Sequence, residues 1–123
     1  MLCLGVVNLN SLVNKVAFVS HLIEGSGLSA LAVCETWLTS AISSSYVAIP
    51  GFKFFRKDVL GTVRKHGVGL YIKDSLRAAP SDVEVPNVLS IYVEEWGVHV
   101  VVVYRPPSYS QSENDVLLEF VAS

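Results

Sequence analysis

One carboxylate in this chain stands where it could do chemistry. Glu35 ends the apolar run Ala30-Leu31-Ala32-Val33-Cys34 and is followed directly by Thr36, Trp37 and Leu38. A run of small and branched side chains without polar alternation suits a strand buried on both faces. An ionised glutamate inside such a strand would pay several kcal/mol or more for lost hydration, on the order of the cost of any unpaired buried charge. Its place is therefore the C-terminal rim of the strand, where open α/β sheets bind ligands. Two readings of Glu35 stand side by side: a metal ligand, or a hydrogen-bonded cap of the next turn. Asn8 closes a second apolar run, residues 2–8, and has the same two readings, a turn residue or a ligand.

The elements that would position these two side chains follow from the intervening pattern. Asn8-Leu9-Asn10-Ser11 reads as a turn, and Ser11 can cap a helix over residues 12–24. Leu12, Val16, Val19, Leu22 and Ile23 share one face of that helix, which must pack on a sheet. Gly25-Ser26-Gly27 stops it, and a second strand spans residues 28–35. Strand, helix and strand in so short a stretch predict a right-handed parallel crossover, which brings Asn8 and Glu35 to one rim. A serine-rich loop and the turn Ile49-Pro50-Gly51 come next. Residues 52–57 and 67–73 then read as a hairpin joined by a basic loop. Gly67-Val68-Gly69 is too short and wrongly placed for a dinucleotide fingerprint, so close backbone packing is the reading of its glycines. Residues 74–87 form a polar connection containing Pro80 and Pro86, and residues 88–95 and 98–104 form a second hairpin. Arg105-Pro106-Pro107 halts it, and Ser112 or Asn114 can cap a closing helix over residues 116–121.

With 123 residues the chain is one domain, large enough to bury about two-thirds of its unfolded surface. Apolar residues make up 51% and charged residues 16%, with mean hydropathy +0.48. That excess of apolar surface needs a membrane, a partner surface or a further part of the fold to cover it. No apolar run reaches the roughly 18 residues of a spanning helix, and residues 1–7 lack the basic start and cleavage site of a signal peptide. The net charge of −2 and pI near 5.8 argue against nucleic acid, but the distribution does not. Seven of the nine Lys and Arg lie between 53 and 77 against only Asp58 and Asp74. That segment could meet phosphates, or its lysines could simply protect a sheet edge. Cys3 and Cys34 sit in apolar runs at no zinc spacing and read as reduced thiols of an intracellular protein.

Three pieces therefore stand at strand ends in fixed order: Asn8-Leu9-Asn10-Ser11-Leu12, Glu35-Thr36-Trp37-Leu38 and Val103-Tyr104-Arg105-Pro106-Pro107. Between them lie Ile49-Pro50-Gly51-Phe52, Phe55-Arg56-Lys57-Asp58 and Gly67-Val68-Gly69-Leu70-Tyr71-Ile72-Lys73-Asp74-Ser75-Leu76. In this ordered set the chain resembles the endonuclease of LINE-type (non-LTR) retrotransposons, within the endonuclease/exonuclease/phosphatase superfamily. The resemblance implies an α/β fold, the N-terminal half of a four-layer, DNase I-like sandwich. The half is expected as one mixed sheet of about five or six strands, a packed helix near the start and a short C-terminal helix, with residues 1–123 a single incomplete domain. It also implies a metal-dependent phosphodiesterase. By position, Glu35 matches the glutamate that holds Mg²⁺ (or Mn²⁺), Asn8 the asparagine that helps hold the metal and the phosphate, and Tyr104 the tyrosine facing the phosphate from the other side. Asn10, Arg56, Lys57, Arg64, Lys65 and Arg105 are the expected phosphate or DNA contacts. Arg105-Pro106-Pro107 departs from the asparagine-bearing version of apurinic-site nucleases and agrees with many retrotransposon endonucleases. His66 falls where glycine is common and reads as drift.

The resemblance also exposes an absence. The downstream Asp-x-Asn and Ser-Asp-His motifs that orient and activate water in the full family do not occur in this sequence. Positioning and charge stabilisation carry phosphoryl chemistry, so half a site should lose most of its rate. The expectation is a truncated, inactive relative of a DNA endonuclease, nuclear if it serves a working retroelement, with an uncovered apolar sheet face open to self-association. The competing readings are a non-catalytic nucleic-acid-binding or self-associating piece, and a phosphatase-type member of the superfamily.

Overall fold

The computed structural model describes residues 3–58 and 66–105. Among these residues seven strands form: β1 (Leu4–Asn8), β2 (Ala30–Cys34), β3 (Phe52–Lys57), β4 (Val68–Lys73), β5 (Ala78–Ser81), β6 (Val88–Val93) and β7 (Val98–Val103). They do not make the single mixed sheet expected from the sequence. β1-β2-β4-β3 form one sheet and β5-β6-β7 a second. The physical reason lies in two-sided burial. Ala30, Cys34, Val68, Leu70 and Ile72 on the inner face of the first sheet pack against Leu89, Ile91, Val93 and Val102 of the second. Leu31, Val33 and Tyr71 point the other way, into a separate core with Val19 and Ile23 of the helix. A strand apolar on both faces requires a layer on each side, and the second hairpin supplies one of them.

β1 and β2 pair in parallel with Asn8 opposite Cys34, so the strand-helix-strand expectation holds. The helix itself begins later than its pattern suggests. A one-turn 3₁₀ segment (Val13–Lys15) precedes α1 (Val16–Ser26), and no side chain caps either start. Ser11 is not a cap: it has φ +92° and gives its N–H to the Glu35 carbonyl at 2.9 Å. The glycine pair did not end the helix at Gly25; the left-handed residue is Gly27, whose N–H returns to the Ile23 carbonyl.

β3 and β4 form the expected antiparallel hairpin, and β4 inserts between β3 and β2. Gly69 is there for space: a Cβ on it would lie 2.5 Å from the Phe54 ring, which stacks on Tyr71 with centroids 4.4 Å apart. β5 was hidden in the polar connection. Its Pro80 cannot donate to a ladder, but among the described residues β5 is an edge strand paired with β6 alone, where a proline is tolerated. The second sheet leaves the inner face of β1 open, and Leu4 and Val6 are 50% and 73% exposed. Together with Val101 and Val103 of β7 they flank a groove of about 550 Å³ floored by Ala32 and Leu70. The helix expected over residues 116–121 lies outside the described residues.

Candidate functional site

Three backbone segments meet at the C-terminal rim of β1 and β2. The parallel register continues past the strands: Leu9 N–H bonds the Cys34 carbonyl at 3.0 Å, Ser11 N–H that of Glu35 at 2.9 Å and Leu12 N–H that of Thr36 at 3.0 Å. On the other side, Thr36 N–H bonds the Gly67 carbonyl at 3.3 Å and Trp37 N–H that of His66 at 3.0 Å. To thread these bonds the chain takes left-handed φ at Asn10 (+51°), Glu35 (+56°) and Trp37 (+56°). Such conformations cost a non-glycine residue on the order of 1–2 kcal/mol each and gather where a site needs a fixed backbone.

The expected catalytic side chains do converge there. Asn8 Nδ2 donates to Glu35 Oε2 at 2.5 Å, and the Tyr104 phenol lies close enough to the same carboxylate to feel its charge. Burial and that carboxylate push the Tyr104 pKa up to about 12, so the phenol keeps its proton at neutral pH and acts as a donor. Cys34, beneath Glu35, is held above the ordinary thiol range by burial and then by the Glu35 charge, which disfavours its thiolate. The donor set is hard oxygen: one carboxylate and the amide oxygen left to Asn8 once its N–H is given to Glu35. Such a set suits Mg²⁺, which takes one or two carboxylates and fills its octahedron with water and phosphate. Among the described residues no cluster of three His, Cys, Asp or Glu could hold a metal without such help.

The residues expected to touch phosphate are placed differently from one another. Asn10 is exposed on the rim and Arg105 is exposed just past β7. Arg56 is turned to the protein: its five N–H groups meet both Asp58 carboxylate oxygens, the Ile42 and Thr39 carbonyls and Ser44 Oγ, at 2.7–3.2 Å. It pins the serine-rich loop onto β3. Lys57 Nζ bonds the Val83 carbonyl, and partial burial holds its pKa below the usual lysine value. Arg64 and Lys65 lie outside the described residues.

Several rim residues carried no chemical signal in the sequence. Lys15 Nζ clamps the turn after β1 through the Leu9 and Asn10 carbonyls. The His66 ring lies tilted beside that of Tyr104, centroids 6.2 Å apart and planes at 59°, so it lines the site. Gly67 has φ +103° and a Cβ there would meet Thr36 Oγ1 at 2.5 Å, which ties the glycine to the buried threonine beside Glu35. Asn87 is buried, with φ +60°; a Pro-Asn pair before a strand announces a turn but not the destination of its side chain.

No protein-family profile matches this chain, and no curated protein matches it in sequence. Solved structures do. An AP endonuclease from Archaeoglobus fulgidus superposes with a TM-score of 0.70 at 16% identity, over 99% of this chain and 49% of that one. An AP endonuclease from Leishmania major superposes with a TM-score of 0.66 at 16% identity, over 91% of this chain and 42% of that one. The chain thus spans about half the length of these structures. Two sheets face to face, with a helix outside the first and a rim built where β1, β2 and β7 end, are the opening half of the α/β sandwich shared by AP endonucleases and DNase I-like proteins, and that is the fold of this chain.

Proposed function

We propose that this chain carries the metal- and phosphate-binding half of a DNA endonuclease site, of the kind that nicks target DNA for LINE-type retrotransposition. The observation behind the reading is the bond between Asn8 and Glu35 at one rim, with Tyr104 beside the carboxylate, at the ends of three strands drawn from both sheets. Glu35, with the Asn8 amide oxygen, would hold Mg²⁺, which supplies charge to polarise the scissile phosphate. Asn8 orients the Glu35 carboxylate by donating to it. Tyr104, kept protonated, offers its O–H to a phosphate oxygen opposite Glu35. Asn10 and Arg105, both exposed at the rim, would steer a backbone phosphate. Arg56 and Lys57 hold loops in place instead. No residue of this sequence supplies the Asp-x-Asn or Ser-Asp-His motif, so water activation falls to residues this chain does not carry. Its cellular setting would be nuclear if it serves a working retroelement.

Nicking of supercoiled plasmid in Mg²⁺ tests the reading, comparing the chain with Glu35→Ala, alone and after addition of a polypeptide bearing the two downstream motifs. The variant should fall by about 10²-fold or more in any nicking observed, the scale of losing one preorganised charge-stabilising group. Equal nicking by both proteins overturns the proposal.

One observation favours a second property, self-association. Among the described residues Leu4, Val6, Val101 and Val103 expose a contiguous apolar groove between the edge strands β1 and β7, the kind of surface that recruits another chain.

A further inference from the structure

We propose that Asn87 is a positioning residue of the rim site, fixing Tyr104 of the second sheet over Glu35 of the first. The inference rests on reading Glu35 and Tyr104 as partners in one site, and it adds the device that holds them together.

Asn87 is 2% exposed and stands one residue before β6. The β6–β7 ladder ends at the pair Val88 and Val103. Beyond it, the Tyr104 N–H bonds the Asn87 carbonyl at 3.0 Å, which adds one rung and sets the backbone from which the phenol projects. The Asn87 side chain leaves its own sheet: Oδ1 accepts the Gly67 N–H at 3.1 Å. Gly67 lies just outside the β3–β4 ladder, which ends at Lys57 and Val68, so its buried N–H needs this acceptor. The Gly67 carbonyl in turn takes the Thr36 N–H, next to Glu35. The path Glu35, Thr36, Gly67, Asn87, Tyr104 runs from one sheet to the other through backbone and amide bonds and leaves the Tyr104 phenol near the Glu35 carboxylate.

A bare turn role explains less. Left-handed φ before a strand needs only glycine or asparagine. It does not need a buried amide oxygen aimed across the interface at a backbone N–H. Asparagine is the residue that meets both demands, and aspartate also offers the oxygen.

The two roles separate in solution without DNA or metal, so the outcome is independent of whether the chain belongs to a nuclease. The ring resonances of ¹³C-tyrosine-labelled protein are assigned by Tyr104→Phe, and the displacement of the Tyr104 signal by Glu35→Gln is measured in three backgrounds. In the parent and in Asn87→Asp the displacement should be alike. In Asn87→Gly, which keeps the backbone conformation and loses the acceptor, it should fall at least threefold. An undiminished displacement in Asn87→Gly overturns the proposal, because a turn residue alone would leave Tyr104 and Glu35 in contact. If that variant does not fold, amide exchange in the parent decides: the Gly67 and Tyr104 N–H groups should be protected to within about threefold of each other, and a Gly67 N–H exchanging like a free amide overturns the clasp.

Discussion

Glu35 carries two costs at once, a carboxylate at the edge of an apolar layer and a left-handed backbone. Substitution can separate them. Glu35→Ala keeps the strained φ, whereas Glu35→Gly relieves it, so the glycine variant should be the more stable of the two by about 1 kcal/mol. Urea unfolding of both variants checks the order, which reverses the usual preference for alanine; an alanine variant equal or superior to glycine would remove strain from the account of this site. Tyrosine ionisation gives a second residue-level expectation. Burial raises the Tyr71 pKa, and burial with Glu35 raises that of Tyr104 to about 12. A phenol raised in the folded state binds its proton more tightly there than in the unfolded chain. The stability this contributes is whole below the unfolded value near 10 and is lost as pH climbs past it. Tyr71→Phe should flatten that alkaline decline, while costing about 1–2 kcal/mol at pH 7 because the 2.6 Å bond to the buried Val47 carbonyl is gone. Denaturant midpoints from pH 7 to 11 would show an unchanged slope if Tyr71 has no such part.

At the scale of elements, close packing sets the terms. Gly69 and Gly25 should respond to alanine in opposite directions. On β4 the new methyl would strike the Phe54 ring and approach the Phe55 carbonyl at 3.1 Å, so Gly69→Ala should cost about 2–3 kcal/mol. In α1 nothing lies within 4 Å, so Gly25→Ala should gain roughly 0.5–1 kcal/mol. Thermal melts of the pair test this, and a loss at both positions would contradict the packing described for Gly25. The parallel strands β1 and β2, the β3–β4 hairpin and the convergence of Asn8 with Glu35 were legible in the sequence, because apolar runs, turn residues and chain order are local signals. What stayed hidden depended on tertiary partners. β5 was masked by Pro80, which only an edge position excuses. The division into two sheets could not be told from one wide sheet, since a hairpin reads the same wherever it docks. Arg56 and Lys57 read as phosphate contacts because a cation in a sequence does not declare whether its partner is a phosphate or a backbone carbonyl.

The whole molecule is asymmetric in its covering. Among the described residues the second sheet shields β3 and β4 and stops short of β1, which places the exposed Leu4 and Val6 beside β7, its edge strand. If this face draws copies together, Val6→Lys should abolish concentration-dependent sedimentation. Because the Val6 side chain is largely in water, its replacement should change unfolding stability by only about 0.5 kcal/mol. A parent protein that sediments as a monomer at every concentration would end the self-association reading. The closure through Gly67, Asn87 and Tyr104 has a consequence for the order of folding. The β3–β4 and β6–β7 hairpins join near neighbours in the chain and can form early, whereas the rim waits until both sheets have met. Contacts made after the barrier slow unfolding and leave the folding rate alone. The rim therefore acts as the latch of the half-sandwich, fastened last, and its side chains govern how long the assembled fold lasts more than how quickly it forms.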